Sequence, residues 1–318
     1  MKKLLSLILT VTMLLIALTS CGGNDDKTQI RVGYMSGPTG MGMAKLIHDN
    51  KDNTEKYSFK QYENTKLATA DLTAGKIDVI CAPTNEAANY FNTVDDTSVI
   101  LAINTLNTLF LVSDAETTVT SFADIEGKTV YTCKNGTPKV VLEYLLEEAE
   151  VNATVSTSVN GTEITTPQQL AQQIIAGNVS IAVAPEPIVT SATLNNRDYS
   201  IDLNLNTVWE SVASTELTMG CIIANGNFVN QHKGVINTFL EEYEASINFM
   251  KDASNLDTAA NYIVESGIMA ALPAAKSALR NLGDAIAYID GDKMKTSLKA
   301  FLSIVGVTSP AEKFYYEK

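Results

Sequence analysis

Histidine is almost missing from this 318-residue chain: only His48 and His232 occur, far apart in sequence. Cysteine is equally sparse, at Cys21, Cys81, Cys133 and Cys221, with no C-x-x-C pair and no H-E-x-x-H. The common zinc spacings are therefore excluded. There is no G-x-S-x-G and no Walker loop, which removes the nucleophile elbow and the P-loop. Arginine is confined to Arg31, Arg197 and Arg280, and none falls in a loop that follows a predicted strand. A bidentate guanidinium clamp on a carboxylate or phosphate is not expected. Positive charge as a whole is short, with 23 Lys and Arg against 36 Asp and Glu, a net of −13. Such a chain is a poor partner for nucleic acid or an anionic lipid surface.

What is present begins with a leader. Lys2-Lys3 precedes an apolar run from Leu4 to Leu18, then Thr19-Ser20-Cys21. The order is that of a secretory signal peptide, and the run is shorter than the roughly 20 residues a permanent span needs. Leu18-Thr-Ser-Cys21 resembles a bacterial lipobox. That resemblance implies a signal peptide over 1–20, a lipid-bearing Cys21 and a tether over 21–28, with the protein held on the extracytoplasmic face of the cell membrane by its lipid alone. Cleavage there removes two lysines and no acid, so the net charge moves to −15. Cys81, Cys133 and Cys221 each lie in or beside an apolar stretch and read as small buried hydrophobes; three cannot all pair internally.

The rest is long enough for two α/β lobes. Gln29–Met35 reads as a strand, Ser36–Gly40 as a break and Met41–His48 as a helix. Lys128–Cys133, Lys134–Pro138 and Lys139–Glu150 repeat that order. Two further segments echo each other 102 residues apart: Ala74-Gly-Lys-Ile-Asp-Val-Ile-Cys-Ala-Pro83 and Ala176-Gly-Asn-Val-Ser-Ile-Ala-Val-Ala-Pro185. In each, a helix ends at Gly, a strand follows and Pro closes it. The expected architecture is α/β, with two domains joined by a two-crossing hinge and a ligand cleft between them. Lobe 1 is expected over 29–112 and 222–318, lobe 2 over 113–221. The crossings are expected near Ser113 and Met219, and helical patterns from Val235 to Val305 are expected to pack back on lobe 1.

Several stretches resemble, in order, the periplasmic-binding-protein-like type II fold, and within it the nitrate/sulfonate/taurine and thiamine-pyrimidine group of ABC-importer binding proteins. They are Val32–Met41, Leu72–Val79, Phe122-Ala-Asp-Ile-Glu-Gly-Lys-Thr-Val130 and the glutamate-proline loop Ala184–Pro187. The resemblance runs from about Gln29 to Val305. It implies a monomeric solute-binding lipoprotein that takes a small polar molecule and passes it to ABC permease subunits, with no cofactor, no metal and no catalysis. The same fold group holds pyrimidine synthases that use a cysteine-rich motif and an active-site histidine; this chain has no such cysteine cluster, and neither His48 nor His232 lies in a predicted cleft loop. A sensor or adhesion lipoprotein of the same fold is the other alternative.

Ligands of open α/β sheets bind outside the strand carboxyl ends, where helix N-termini offer free N–H groups. The candidate ligand-binding residues follow from that rule. Ser36, Thr39 and Gly40 stand after the first strand, and Thr84 and Asn85 after the strand ending at Pro83. Gly136 and Thr137 stand in the lobe 2 break, where Lys134 is the expected cation. Glu186 lies between two prolines, and Thr105, Asn107 and Met219 belong to the expected hinge. The hydroxyls and Glu186 equally suit helix capping and the helix dipole. Trp209, the one tryptophan, reads as core.

Overall fold

The computed structural model describes residues 28–134 and 136–318. The leader, Cys21 and the tether up to Lys27 lie outside the described residues. The strands β1 (Ile30–Met35), β2 (Tyr57–Tyr62), β3 (Val79–Pro83) and β4 (Val99–Leu106) begin a first sheet. A second sheet takes β5 (Leu109–Asp114), β6 (Thr129–Tyr131), β7 (Thr154–Ser156), β10 (Ile181–Pro185) and β11 (Tyr199–Asn204). A small hairpin, β8 (Ser158–Val159) and β9 (Thr162–Glu163), lies beside it. Finally β12 (Thr218–Ala224) and β13 (Ile286–Ile289) return to the first sheet.

The helices interleave with them: α1 (Pro38–Met41), α2 (Ala44–Asn50), α3 (Thr65–Thr73) and α4 (Thr84–Thr93) in the first lobe, then α5 (Thr137–Glu148), α6 (Pro167–Ile175), α7 (Ile188–Asn195) and α8 (Leu205–Val212). The C-terminal part is α9 (Gly226–Gln231), α10 (Lys233–Lys251), α11 (Leu256–Glu265), α12 (Leu272–Leu282) and α13 (Gly291–Ile304).

The first sheet runs β13-β4-β12-β3-β1-β2 and the second β11-β5-β10-β6-β7. The internal echo of the sequence is thus an echo of topology. β1 lies parallel between β2 and β3, and β6 lies parallel between β7 and β10. The echoed strands β3 and β10 sit in different sheets, each beside an antiparallel neighbour, β12 and β5 respectively. Each of these neighbours is the first strand after a crossing from the other lobe.

Both crossings fall earlier than the sequence pattern indicates. Asn107–Ser113 reads as one strand, but Asn107 takes a left-handed φ of 49° and separates β4 from β5. Asparagine tolerates that region better than most residues. The first crossing is therefore Asn107-Thr108, and β5 belongs wholly to the second sheet, not divided between the lobes as a boundary at 112/113 requires. The return also precedes the expected 221/222 boundary. All seven residues of β12 are buried, and all but Met219 pair with β3 or β4, so Thr218 to Cys221 belong to the first lobe. At the hinge the Asn107 amide donates to the Leu217 carbonyl at 3.0 Å and ties the two crossings together.

One apolar cluster continues through both lobes behind the hinge. It holds Ile80, Ile103 and Phe301 from the first lobe and Leu111, Leu145 and Val183 from the second. Trp209 is at its centre, fully buried, against Tyr144 at 5.2 Å and Phe301 at 6.1 Å between ring centroids. Its indole N–H donates to the Thr215 carbonyl at 2.6 Å, so the ring is buried without an orphaned donor. A second cluster, with Phe239, Tyr243, Ile247, Ala275 and Leu279, covers the other face of the first sheet with α10, α11 and α12.

Candidate functional site

The carboxyl ends of the strands in both sheets open onto one inter-lobe cleft of about 560 Å³. The first lobe supplies Ser36, Pro38 and Thr39 after β1, Glu63 to Lys66 at the entry to α3, and Pro83 and Glu86 beside α4. The hinge supplies Thr105, Thr108 and Met219 as the floor. The second lobe supplies Gly136, Thr137 and Pro138 at the start of α5, Thr165 to Gln168 at the start of α6, and Pro185 at the end of β10. The helices α3, α4, α5 and α6 thus all begin at this cleft, and their N-terminal partial charge favours a negative or electron-rich group there.

Two turns of the same design face each other across it. Gly37 (φ 120°) precedes Pro38 of α1, and Gly136 (φ 89°) precedes Pro138 of α5. Only glycine enters that region without strain, and proline at the start of a helix forfeits a donor that has no partner there anyway.

The candidate residues divide into three groups. Ser36, Thr39, Thr105, Gly136, Thr137 and Met219 line the cleft. Ser36 Oγ accepts from the Gln61 amide at 2.8 Å, which leaves its own proton free to donate. Thr105 donates to Asn104 Oδ1 at 3.0 Å. The Asn104 amide donates to the Thr39 carbonyl at 3.2 Å and the Tyr243 hydroxyl at 3.1 Å, so a buried network fixes the Thr39 turn from behind. Thr137 donates to Asn85 Oδ1 at 3.0 Å, a hydrogen bond from the second lobe to the first.

Gly40, Thr84, Asn85 and Asn107 do not line the cleft. Thr84 is fully buried and donates to the Thr218 carbonyl at 2.5 Å. Asn85 is engaged by Thr137. A Cβ on Gly40 would fall 2.1 Å from the Met35 carbonyl oxygen, so Gly40 lets the turn close on β1. Asn107 is the hinge, and its side-chain oxygen is buried without a donor.

Glu186 is a case of its own. It lines an adjoining cavity of about 310 Å³ and is fully buried. Its carboxylate accepts from the Thr190 hydroxyl at 2.7 Å and the Asn281 amide at 2.6 Å. Burial pushes its pKa up; the hydrogen bonds from Asn281 and Thr190 oppose that rise. Lys134, expected as the cleft cation, is exposed and paired with Glu163 at 2.5 Å, away from the lining. The cation that does line the cleft is Lys66, just inside α3, and no acidic partner reaches its ammonium among the described residues. Sequence reading missed Lys66, Glu63 and Asn64 because it took no site from the turn after β2. The turn's signal is legible in retrospect: Asn64 caps α3 by accepting from the Leu67 amide.

No curated protein sequence matches the chain. Among solved structures, an ABC transporter protein from Parabacteroides distasonis shares 21% identity and covers 92% of this chain and 99% of its own, with a TM-score of 0.72. The periplasmic aliphatic sulphonate binding protein SsuA of Escherichia coli shares 14%, covering 91% and 92%, with a TM-score of 0.69. The periplasmic nitrate-binding protein NrtA of Synechocystis PCC 6803 shares 12%, covering 88% and 81%, with a TM-score of 0.65. The fold is that of these two-lobed periplasmic binding proteins, and the family model described as NMT1/THI5 like matches residues 56–254. The chain belongs to the NMT1/THI5-like family.

Proposed function

We propose that this protein is the extracytoplasmic solute-binding lipoprotein of an ABC importer, a monomer that captures a small polar molecule by lobe closure and delivers it to the permease. The observation that carries this reading is a single cleft built from strand ends and helix N-termini of both lobes, with a hinge at its floor. A solute touching both walls favours the closed arrangement over the open one, and that difference drives closure. The charge of the lining narrows the solute. Lys66 is its one cation, set among two carboxylates, Glu63 and Glu86; no arginine is present, and Met35, Met219 and several prolines form the apolar surface. The helix N-termini and hydroxyls suit a compact solute with a polar or electron-rich head near Lys66 and at most a flat or short apolar body, within the sulfonate, nitrate and pyrimidine classes.

Thermal-shift screening of nitrate, alkanesulfonates, taurine, pyrimidines and flavins, followed by calorimetric titration of any hit, tests the reading. Lys66→Met is expected to weaken an anionic solute about tenfold, the lower end for a charge-assisted hydrogen bond at an exposed lysine. An uncharged solute is expected to lose little. Equal affinity of the variant for an anionic hit would remove Lys66 from the site. The membrane anchor has its own test. Cys21→Ser is expected to release the protein from the membrane fraction and abolish incorporation of labelled lipid; retention with label would refute the lipobox.

A further inference from the structure

The two lobes meet at a second polar contact, away from the lining of the main cleft. Asn281 lies at the end of α12, whose inner face, Ala275, Ala278, Leu279 and Leu282, is packed into the first lobe. Its side-chain amide reaches into the second lobe, donating to Glu186 Oε1 at 2.6 Å and to Thr190 Oγ1 at 3.1 Å. Thr190, in α7, donates its own hydroxyl to the same Glu186 oxygen at 2.7 Å. The backbone of Glu186 is fixed independently, its amide donating to the Thr108 carbonyl of the hinge at 2.9 Å. The carboxylate therefore stands on a rigid post beside the hinge, fully buried, and takes a donor from the opposite lobe.

We propose that Asn281 is a positioning residue for solute capture: through Glu186 and Thr190 it holds the lobes closed and so sets affinity without touching the solute. This rests on the solute-capture reading above. A buried carboxylate needs donors, and one of this carboxylate's donors belongs to the other lobe. When the lobes part, Asn281 leaves with α12 and the carboxylate meets water instead. The contact thus exists only in the closed arrangement, and a contact made in one state alone shifts the population between the two. Asn281 is absent from the lining of both inter-lobe cavities, which separates its effect from direct recognition.

The test needs no solute. Small-angle X-ray scattering of the chain, fitted as a mixture of open and closed forms, reads the equilibrium directly. Asn281→Ala is expected to shift it about tenfold or more towards open, the effect of losing a charge-assisted hydrogen bond. Alanine is a better helix former than asparagine, so the melting temperature is expected to hold. A double-mutant cycle with Glu186→Ala separates the contact from a general loosening: the two substitutions are expected to be non-additive in the open fraction. Scattering of Asn281→Ala identical to that of the native chain would overturn the proposal, as would strict additivity. Should Asn281→Ala lower the melting temperature without opening the lobes, its role is structural and the proposal again falls. A failed solute screen with intact opening by Asn281→Ala would count against the solute-capture reading and not against the contact.

Discussion

Trp209→Ala is expected to lower the unfolding free energy by about 3–5 kcal/mol, the range for emptying a fully buried large aromatic site. Trp209 is 0% exposed and reaches rings of both lobes, Tyr144 on α5 and Phe301 on α13. The cavity it leaves lies in the apolar cluster that runs behind the hinge, so neither lobe alone closes over it. Its N–H partner, the Thr215 carbonyl, also loses its donor just ahead of the return crossing. Denaturant unfolding followed by circular dichroism checks this. A loss below about 1 kcal/mol, the scale of an ordinary point substitution, would mean that the two lobes do not share a core.

Gly40→Ala is the second large effect, and it joins stability to binding. The added Cβ would sit 2.1 Å from a backbone oxygen, that of Met35, which no side-chain rotation relieves. Either β1 or the turn that carries Ser36 and Thr39 must move. Overpacking of this kind costs about 1–3 kcal/mol and more where backbone is displaced. Because the same turn lines the cleft, the expected result is a lower melting temperature together with a loss of solute affinity larger than that of Lys66→Met. Native melting and native affinity in Gly40→Ala would show that the turn closes on β1 less tightly than described.

Most of the fold was legible in the sequence for a specific reason. The Ala-Gly…Ala-Pro echo marks the same helix–strand step twice, at β3 and β10, and a repeated step implies a repeated sheet order. The helical patterns expected from Val235 to Val305 are likewise found there, as α10 to α13. The hinge was displaced because Asn107 reads as the first residue of a strand: no glycine or proline beside it marks the left-handed turn that separates β4 from β5. At the site, strand ends were readable from pattern, and six candidate positions do stand on the cleft lining. Side-chain partners were not. Thr84 and Asn85 stand in the first turn of α4, beside the cleft, yet their polar atoms are engaged by Thr218 and Thr137, residues distant in sequence. Glu186 was read as either a ligand contact or an acid at a helix start, and neither reading held its partner, because Asn281 is remote in sequence and lies in a helix that no loop rule brings to it.

The order in which strands join the sheets has a consequence for how the chain is completed. In the first sheet β3 and β4 are not neighbours; β12 fills the place between them. During synthesis from the N-terminus, β1 to β4 are made early, yet the middle of their sheet stays empty until Thr218–Ala224 emerges. The second sheet has no such gap, since β5 to β11 form one continuous stretch whose contacts are closer in sequence. Long-range pairing is the slow part of folding, and an incomplete sheet exposes unpaired edges. The lobe that starts the protein is therefore the last to be finished, and for that interval its two inner edges, on β3 and β4, stand open to other chains.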